Sequence, residues 1–443
     1  MTPMPPTDDV DLLVIGGGMA GLTAAVRAVG HGLDVVLVER APSLGGSALY
    51  AGYLWTAATA GAMRAANPSG DPDLCAAVVD GFPAALGLLD DLGVPYGPPV
   101  TMLRHGTGHQ FDTALFVDTC RRRITDAGSI GTGVVTRQLR TDPAGAVVGA
   151  DLQLADGTER TVHARATVLA TGGFQGDPGL RAEHVHPLAA DIALRSNPHS
   201  RGDGLRLARA AGGTLTNSRG GFYGHLVPAG VELRPEHYVD LALYYSEHAA
   251  LFNLAGERFV DETVGDHLTT MALAGQPGAR GLLVTDARGH REWVTQAYVA
   301  GAPATDKFAL ADRQGARCVV ADAPSDFAGM PPEWGYDGPR IAAGLERIAT
   351  GRDPAPARRF DPRPLDEPPY YVVEVAPAIT FPFAGIGIDH RARVTGADGH
   401  AVPGLYAAGS DIGGLYVGAY AGGLAPAVVF GMAAADDVAR QVR

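Results

Sequence analysis

The first regular pattern in the chain is an unbroken apolar run, "VDLLVI" at residues 10–15, that ends in three glycines. A continuous run, unlike an alternation, is what a strand buried on both faces of a parallel sheet requires. The next segment, "MAGLTAAVRAVGHG", is helical in pattern, and "LDVVLVER" is a second buried strand. Residues 10–40 therefore predict one strand–helix–strand unit with a crossover of the usual length. Further strands are predicted at 131–139 ("GTGVVTRQL"), within 147–171 as a hairpin followed by a buried strand, and at 404–409 ("GLYAAG"). Residues 421–435, "AGGLAPAVVFGMAAA", predict a buried helix, too short for the about 20 residues that cross a bilayer. From about 230 to 367 the strand–helix alternation stops, and Pro-rich, acidic connections such as "GMPPEWGYDGP" and "RDPAPARRFDPRPLDEPP" take over. That change predicts an inserted second domain.

The glycines after the first strand carry a chemical signal. Gly16-x-Gly18-x-x-Gly21 joins strand to helix, and Glu39 ends the next strand. Gly16 makes the turn, Gly18 lets backbone approach a pyrophosphate, Gly21 allows helix and strand to pack closely, and the helix N-terminus stabilises phosphate charge. Glu39 would accept hydrogen bonds from ribose hydroxyls. With strand, helix, second strand and acid all in place, the pattern predicts a bound dinucleotide.

Composition removes other classes. A chain of 443 residues that is 46% hydrophobic and 19% charged can bury a large core in two or three domains. With 35 Lys and Arg against 48 Asp and Glu, a net charge of -13, no basic face is available for nucleic acid. Cys75, Cys120 and Cys318 lie far apart, without the spacing of a disulfide scaffold, zinc site, redox pair or attached haem, so no metal is expected and a reduced, cytoplasmic setting is. The segment "MTPMPPTDDVDLLVIGGG" has acids where a signal peptide carries positive charge, so neither export nor membrane insertion is expected.

Beyond the fingerprint, "GGSALYAGYLW", "VLATGGF", "RGDG", "GERFVDE" and "GLYAAGSDIGGLYVGAYAGGLAPAVVFG" follow in order along most of the chain. Together these motifs resemble the FAD-dependent fumarate reductase and succinate dehydrogenase flavoprotein superfamily, nearest in motif to its 3-ketosteroid dehydrogenases and tricarballylate dehydrogenase-like members. The resemblance implies an α/β fold: a Rossmann-like FAD-binding domain with a parallel sheet, at 1–229 and 368–443, and an inserted α+β capping domain at 230–367. It implies that Met19 and Ala20 lie with the first glycines against FAD, and that Arg40 and Asp203 of "RGDG" belong to the same site. Gly45, Gly46 and Ser47 would lie along flavin and diphosphate, where small residues permit backbone contact. Ala170, Thr171 and Gly172 would lie beside the adenine half, with Val135 pairing its backbone to the adenine. Gly409, Ser410 and Asp411 would face the ribityl-diphosphate region, although the family usually has an acid where Ser410 stands. Gly423, Leu424 and Ala425 would open the last helix with free N–H groups aimed at the flavin N1/O2 edge. Members with covalent flavin carry a His in the segment matching "SALYAGYL"; Ala48 stands near that place, so dissociable FAD is expected.

Catalytic positions follow from the same resemblance. The proton-transfer residue of the superfamily lies four positions past the Glu of "RF-x-x-E", which is Asp266 here, followed by His267. A carboxyl does such work if burial raises its pKa, and a His does so near neutrality. A solvated loop or a helix-capping Asp is the alternative at this point. Where fumarate reductases carry a substrate-clamping Arg, this chain has Tyr420, as ketosteroid dehydrogenases do. A phenol stabilises a ketone or enolate oxygen better than it neutralises a carboxylate. The paired histidines that bind dicarboxylates are replaced by Thr380 and Phe381.

Tyr50, Tyr53, Trp55, Phe222, Tyr223, Phe381, Phe383, Tyr416 and Tyr420 would line an apolar or ring-binding site, with about half of them filling the domain interface instead. His225, His248, Tyr244 and Tyr245 are reserve candidates. No second nucleotide fold or redox cysteine pair is visible, so electrons would pass to or from a diffusible acceptor or donor. The expected reaction makes or breaks a carbon–carbon double bond beside a carbonyl of a small molecule. An oxidase or dehydrogenase acting on C–OH or C–N, or a non-catalytic FAD-binding protein, are the alternatives.

Overall fold

The structure, a computed structural model, describes residues 9–216, 218–299, 302–352 and 356–442. The chain divides into two compact units, the first of residues 1–185, 196–221 and 381–443, the second of 186–195 and 222–380. An insertion expected at 230–367 differs from this division at both ends. The physical reason is strand pairing: Phe222–Pro228 pairs with the long strand Tyr370–Pro382, a contact between segments far apart in sequence.

In the first unit, β1 (Asp9–Ile15), α1 (Met19–Gly30) and β2 (Val35–Glu39) form the predicted strand–helix–strand, with Leu12 opposite Val35 and Ile15 opposite Val38 in parallel register. β3 (Ser129–Thr132) extends the sheet parallel to β2. The strand expected at 131–139 is broken in two, because Gly133 takes φ 72° and the chain turns before β4 (Val135–Thr141). β4, β5 (Val147–Gln153) and β6 (Glu159–Leu169) form an antiparallel meander. β6 then serves twice, since its later residues also run parallel to β1, Leu169 opposite Ile15. After β7 (Arg393–Thr395) and β8 (Ala401–Ala407), the order is β7-β8-β6-β1-β2-β3. The chain's last helix, α2 (Leu424–Val442), packs on α1 so closely that a Cβ added to Gly431 would lie 2.7 Å from the carbonyl oxygen of Ala20. Leu22 and Phe430 are fully buried, each worth about 1.5–3 kcal/mol. Arg27 and His31 both reach Asp436, at 2.8 and 2.6 Å.

Among the described residues one helix, Pro72–Leu92, is long and apolar enough to cross a bilayer. It carries Asp80, Asp90 and Asp91 and places Leu74, Val78, Leu88 and Leu89 in the core, the pattern of a packed amphipathic helix.

The second unit is built on a mostly antiparallel sheet around Tyr370–Pro382, with Gly281–Thr285 and Ala250–Phe252 on one side and the short strand Ala193–Leu194 on the other. Its period of two is plain: Leu282, Val284 and Val372 enter one apolar cluster, while Leu283, Val373 and Val375 enter another. Both faces of this sheet are therefore covered.

Candidate functional site

The glycine turn after β1 is shaped for a ligand that approaches backbone. Gly16 has φ 109°, and a Cβ there would stand 2.2 Å from the carbonyl oxygen of Ala170. A Cβ on Gly21 would stand 1.9 Å from the carbonyl oxygen of Gly16, so both glycines are fixed by protein packing. Gly18 differs: the nearest atom to its added Cβ is 3.9 Å away, so its outer face is open. As N-cap of α1 it offers no side-chain cap, and the first turn, with buried Met19 and Ala20, carries no acid. The N–H groups of that turn are thus directed at whatever occupies the cradle.

Glu39 is fixed beside it. Its carboxylate accepts from the N–H groups of Gly17 and Ala41, both at 2.7 Å, and a carboxylate retains lone pairs for ribose hydroxyls after two such bonds. The N–H of Val134 donates to the carbonyl oxygen of Glu39 at 2.9 Å, which brings Val135 to the same end of the sheet. Arg40 pairs with Asp203 at 3.1 Å. Gly45 and Gly46 have φ 110° and 51°, Gly45 donates to the carbonyl oxygen of Gly17 at 2.8 Å, and Ser47 meets the Ser196 hydroxyl at 2.8 Å.

Asp411 has a task that its expected place facing the cofactor did not include. Its buried carboxylate accepts from the N–H and hydroxyl of Thr171 and from the N–H of Gly173, so it buckles the "ATGG" turn, including Ala170 and Gly172, from 238 residues away. Burial raises its pKa, while these donors oppose the rise. A Cβ on Gly409 would meet that of Ala20 at 2.9 Å, so this turn also lies against α1. Ser410 and Gly409 line a solvent-open cleft with Phe381, Phe383, Tyr416 and Gly423.

Aromatic rings gather around Tyr420, which is buried. Its ring meets Trp55 edge-on at 5.2 Å, Phe381 at 6.0 Å and Tyr416 at 5.7 Å, and Tyr416 meets Phe383 at 5.7 Å. A Cβ on Gly423 would lie 3.6 Å from the Tyr420 hydroxyl, which places that hydroxyl beside Leu424 and Ala425 at the start of α2. Pro426 in that first turn has no N–H that a helix bond would need.

In the second unit, Asp266 begins the helix Asp266–Ala274 after Gly265, whose φ is 133°. It is neither solvated nor a helix cap of its own chain end. One carboxylate oxygen lies 2.5 Å from His225 Nδ1, and the other accepts from the Leu226 N–H at 3.2 Å and the Ser246 hydroxyl at 3.5 Å. Both residues are at least 95% buried. Burial pushes the Asp266 carboxyl up, to about 8, and drives the His225 imidazole well below its ordinary range. The pair therefore holds a single proton and stays neutral around pH 7. Tyr223 and Tyr244 pack edge-on against His225 at 4.9 and 5.0 Å. His267 is also buried.

His225 and Tyr244 are reserve residues in the sequence, and 41 residues of separation hide the His225–Asp266 contact there. His248 and Tyr245 go elsewhere: His248 bonds Asp361 at 2.6 Å and stacks on Trp293, and Tyr245 is core. The acids before Asp266 in "RFVDE" are structural, Glu262 pairing with buried Arg258 and accepting from the Leu251 N–H at 2.7 Å.

A parallel sheet whose first turn is an open glycine cradle, with an acid at the end of β2 and a second helix N-terminus near a cleft, defines a dinucleotide-binding flavoprotein. The family described as "FAD binding domain" matches residues 11–424, and this chain belongs to it. Its cofactor is FAD, for which the cradle is shaped, and it is an oxidoreductase. The chain is 27% identical over 474 residues to a cytochrome-type fumarate reductase of Shewanella frigidimarina, covering 98% of this chain and 78% of that one. It is 24% identical over 463 residues to a urocanate reductase of Eggerthella lenta, covering 92% and 70%. In fold it is similar to the crystal structure of 3-ketosteroid delta1-dehydrogenase from Sterolibacterium denitrificans, with a TM-score of 0.78 at 18% identity over 98% of this chain and 100% of that one.

Proposed function

We propose that this protein moves a hydride between flavin N5 and a carbon next to a carbonyl, making or breaking a carbon–carbon double bond in an apolar or ring-containing small molecule. The observation that carries the reading is the aromatic wall of the first unit, in which the Tyr420 hydroxyl lies at the start of α2 among Trp55, Phe381 and Tyr416. The names of the similar proteins support it, since fumarate, urocanate and the dehydrogenated ketosteroid each carry a double bond conjugated to a carbonyl or carboxyl group.

Bound FAD supplies a two-electron, hydride-transferring centre. Gly16, Gly18, Gly45, Gly46 and the first turn of α1 would hold its diphosphate, Glu39 its ribose, and the start of α2 its flavin edge. Ala48 offers no nucleophile for a covalent link, so the cofactor is held non-covalently. Tyr420 donates a hydrogen bond to the carbonyl oxygen of the substrate and stabilises charge that develops there. Each double bond reduced takes up one hydride and one proton; Asp266, kept protonated by burial beside His225, gives the proton, and in the reverse direction the pair receives it. Phe381 in place of a histidine leaves nothing at that position to hold a second carboxylate, which supports a substrate that is not a small dicarboxylate. The electron partner is a separate, diffusible carrier, and the unpaired Cys75, Cys120 and Cys318 support a reducing, cytoplasmic setting.

The test is anaerobic. FAD-loaded protein is photoreduced, mixed with ring-bearing enones and enoates, and followed at the flavin band; the oxidised form is mixed with the saturated analogues. Reoxidation by at least one unsaturated compound, or bleaching by a saturated one, is expected. Silence in both directions, with FAD bound, overturns the reading.

A further inference from the structure

Arg195 lies in the second unit with 6% of its surface exposed, and no carboxylate pairs with it among the described residues. Its Nε donates to the carbonyl oxygen of Tyr238 at 2.7 Å, and its two terminal nitrogens reach the hydroxyls of Thr380 at 3.3 Å and Tyr244 at 3.4 Å. Neutral oxygens satisfy its donors and the Tyr238 ring lies 5.8 Å from the guanidinium carbon, but no carboxylate among the described residues stands within ion-pair distance of the charge. Burying such a charge costs several kcal/mol. A second cation repeats the pattern: Lys307, 4% exposed, donates to the carbonyl oxygens of Val239 and Asp240 at 3.1 and 3.0 Å and sits 5.2 Å from the centre of the Tyr244 ring. The Asp240 carboxylate meanwhile accepts from the Thr305 hydroxyl at 3.0 Å.

Tyr244 joins this cationic cluster to the proton-holding pair, since its ring packs on His225, which bonds Asp266. Pinning the 186–195 segment to its sheet needs no charge at all. The N–H of Arg195 already donates to the carbonyl oxygen of Ile379 at 2.8 Å, and Ala193 and Leu194 pair with Ala378 and Ile379. A guanidinium fork that lacks an acid, beside hydroxyls that can also donate, is built to donate to the two oxygens of a carboxylate.

We infer that Arg195, with Tyr244 and Thr380, is a specificity-determining site for a carboxylate on the substrate, so that the double bond belongs to a ring-bearing 2-enoate in preference to a neutral enone. This inference rests on the hydride-transfer reading above.

Two measurements separate the inference from the reading it rests on. Binding of 3-phenylpropanoate to the oxidised, FAD-loaded protein is followed by calorimetry for wild type, Arg195→Gln, Arg195→Lys and Thr380→Asp. Binding by wild type is expected, weakened at least tenfold by Arg195→Gln and by Thr380→Asp, which sets a counter-charge against the guanidinium, and weakened less in Arg195→Lys, which keeps the charge but loses the fork. Should Arg195→Gln not fold, Thr380→Asp gives the same answer. Reoxidation of the photoreduced protein is then compared for cinnamate and for benzalacetone, which share a styryl skeleton. Arg195→Gln is expected to raise the half-saturating concentration of cinnamate at least tenfold and that of benzalacetone less than threefold. Absence of 3-phenylpropanoate binding in wild type, equal losses on both styryl compounds, or a wild type that uses only benzalacetone each overturns the inference while hydride transfer stands. Reoxidation by neither, with 3-phenylpropanoate bound through Arg195, overturns the reading and leaves the anion site.

Discussion

Replacing Asp266 by Asn separates what the acid costs the fold from what it does for the reaction. At pH 7 the unfolded carboxyl, with its usual value of 3.8, is ionised, whereas burial holds the folded one at about 8 and protonated. Keeping that proton costs about 1.4 kcal/mol for each pH unit between the unfolded value and pH 7, roughly 4 kcal/mol in all. The sign follows: stability from this group is complete below the unfolded value and is lost as pH rises toward the folded one. Asn keeps the geometry without the titration, because its N–H can donate to His225 Nδ1 and its oxygen can still accept from the Leu226 N–H. Asp266→Asn should therefore melt several degrees above wild type at pH 8 and close to it at pH 4.5, by scanning calorimetry of the FAD-loaded protein. Its turnover should fall by about a hundredfold or more, the usual loss of a positioned general acid. In wild type, double-bond reduction should decline above about pH 8, where the proton leaves. An Asn variant that melts at or below wild type at pH 8 would show that the carboxyl is already ionised and compensated, and the proton-donor argument would fail with it.

Other substitutions test the remaining parts. Gly16→Ala forces a Cβ to within 2.2 Å of the Ala170 carbonyl oxygen in a left-handed backbone, and should yield protein with at least tenfold weaker FAD binding, read from the ratio of flavin to protein absorbance; full flavin retention would contradict the cradle. Asp411→Asn presents an amide where Thr171 and Gly173 need an acceptor, and should cost about 2–4 kcal/mol of stability and speed FAD release, measured by urea unfolding and by flavin fluorescence. Tyr420→Phe keeps the ring contacts but removes the hydroxyl, and should lower kcat for the double-bond substrate by about tenfold to a hundredfold with little change in KM.

The parallel core around the nucleotide was legible in the sequence because its signals are local. β1, the glycine turn and α1 lie within 22 residues, and every requirement there, from the clash that fixes Gly21 to the open face of Gly18, is written in adjacent positions. The edges of the second unit were not legible for the opposite reason. Phe222–Pro228 and Tyr370–Pro382 are neighbours only after folding, and no pattern in either announces the other. Gly133 is an intermediate case, since its break in an otherwise strand-like run depends on a turn whose N–H meets the carbonyl oxygen of Ala41 at 3.1 Å.

The same distinction separates what holds the cofactor from what acts on the substrate. Asp411 could be placed near FAD by motif, yet its work is mechanical, and that follows only from the Thr171 and Gly173 groups it holds. Asp266 could be singled out by position, but an acid at the start of a helix is ordinarily a solvated residue, and its proposed role as proton donor rests on His225 at 2.5 Å and the burial of both side chains. Arg195 carried no motif at all. The proposal made for it rests on a missing partner: a buried guanidinium among hydroxyls and carbonyls departs from the rule that buried charges are paired. Cofactor binding in this fold is thus encoded as local backbone geometry, whereas the substrate chemistry proposed for it rests on long-range charge and proton accounting among a few buried side chains.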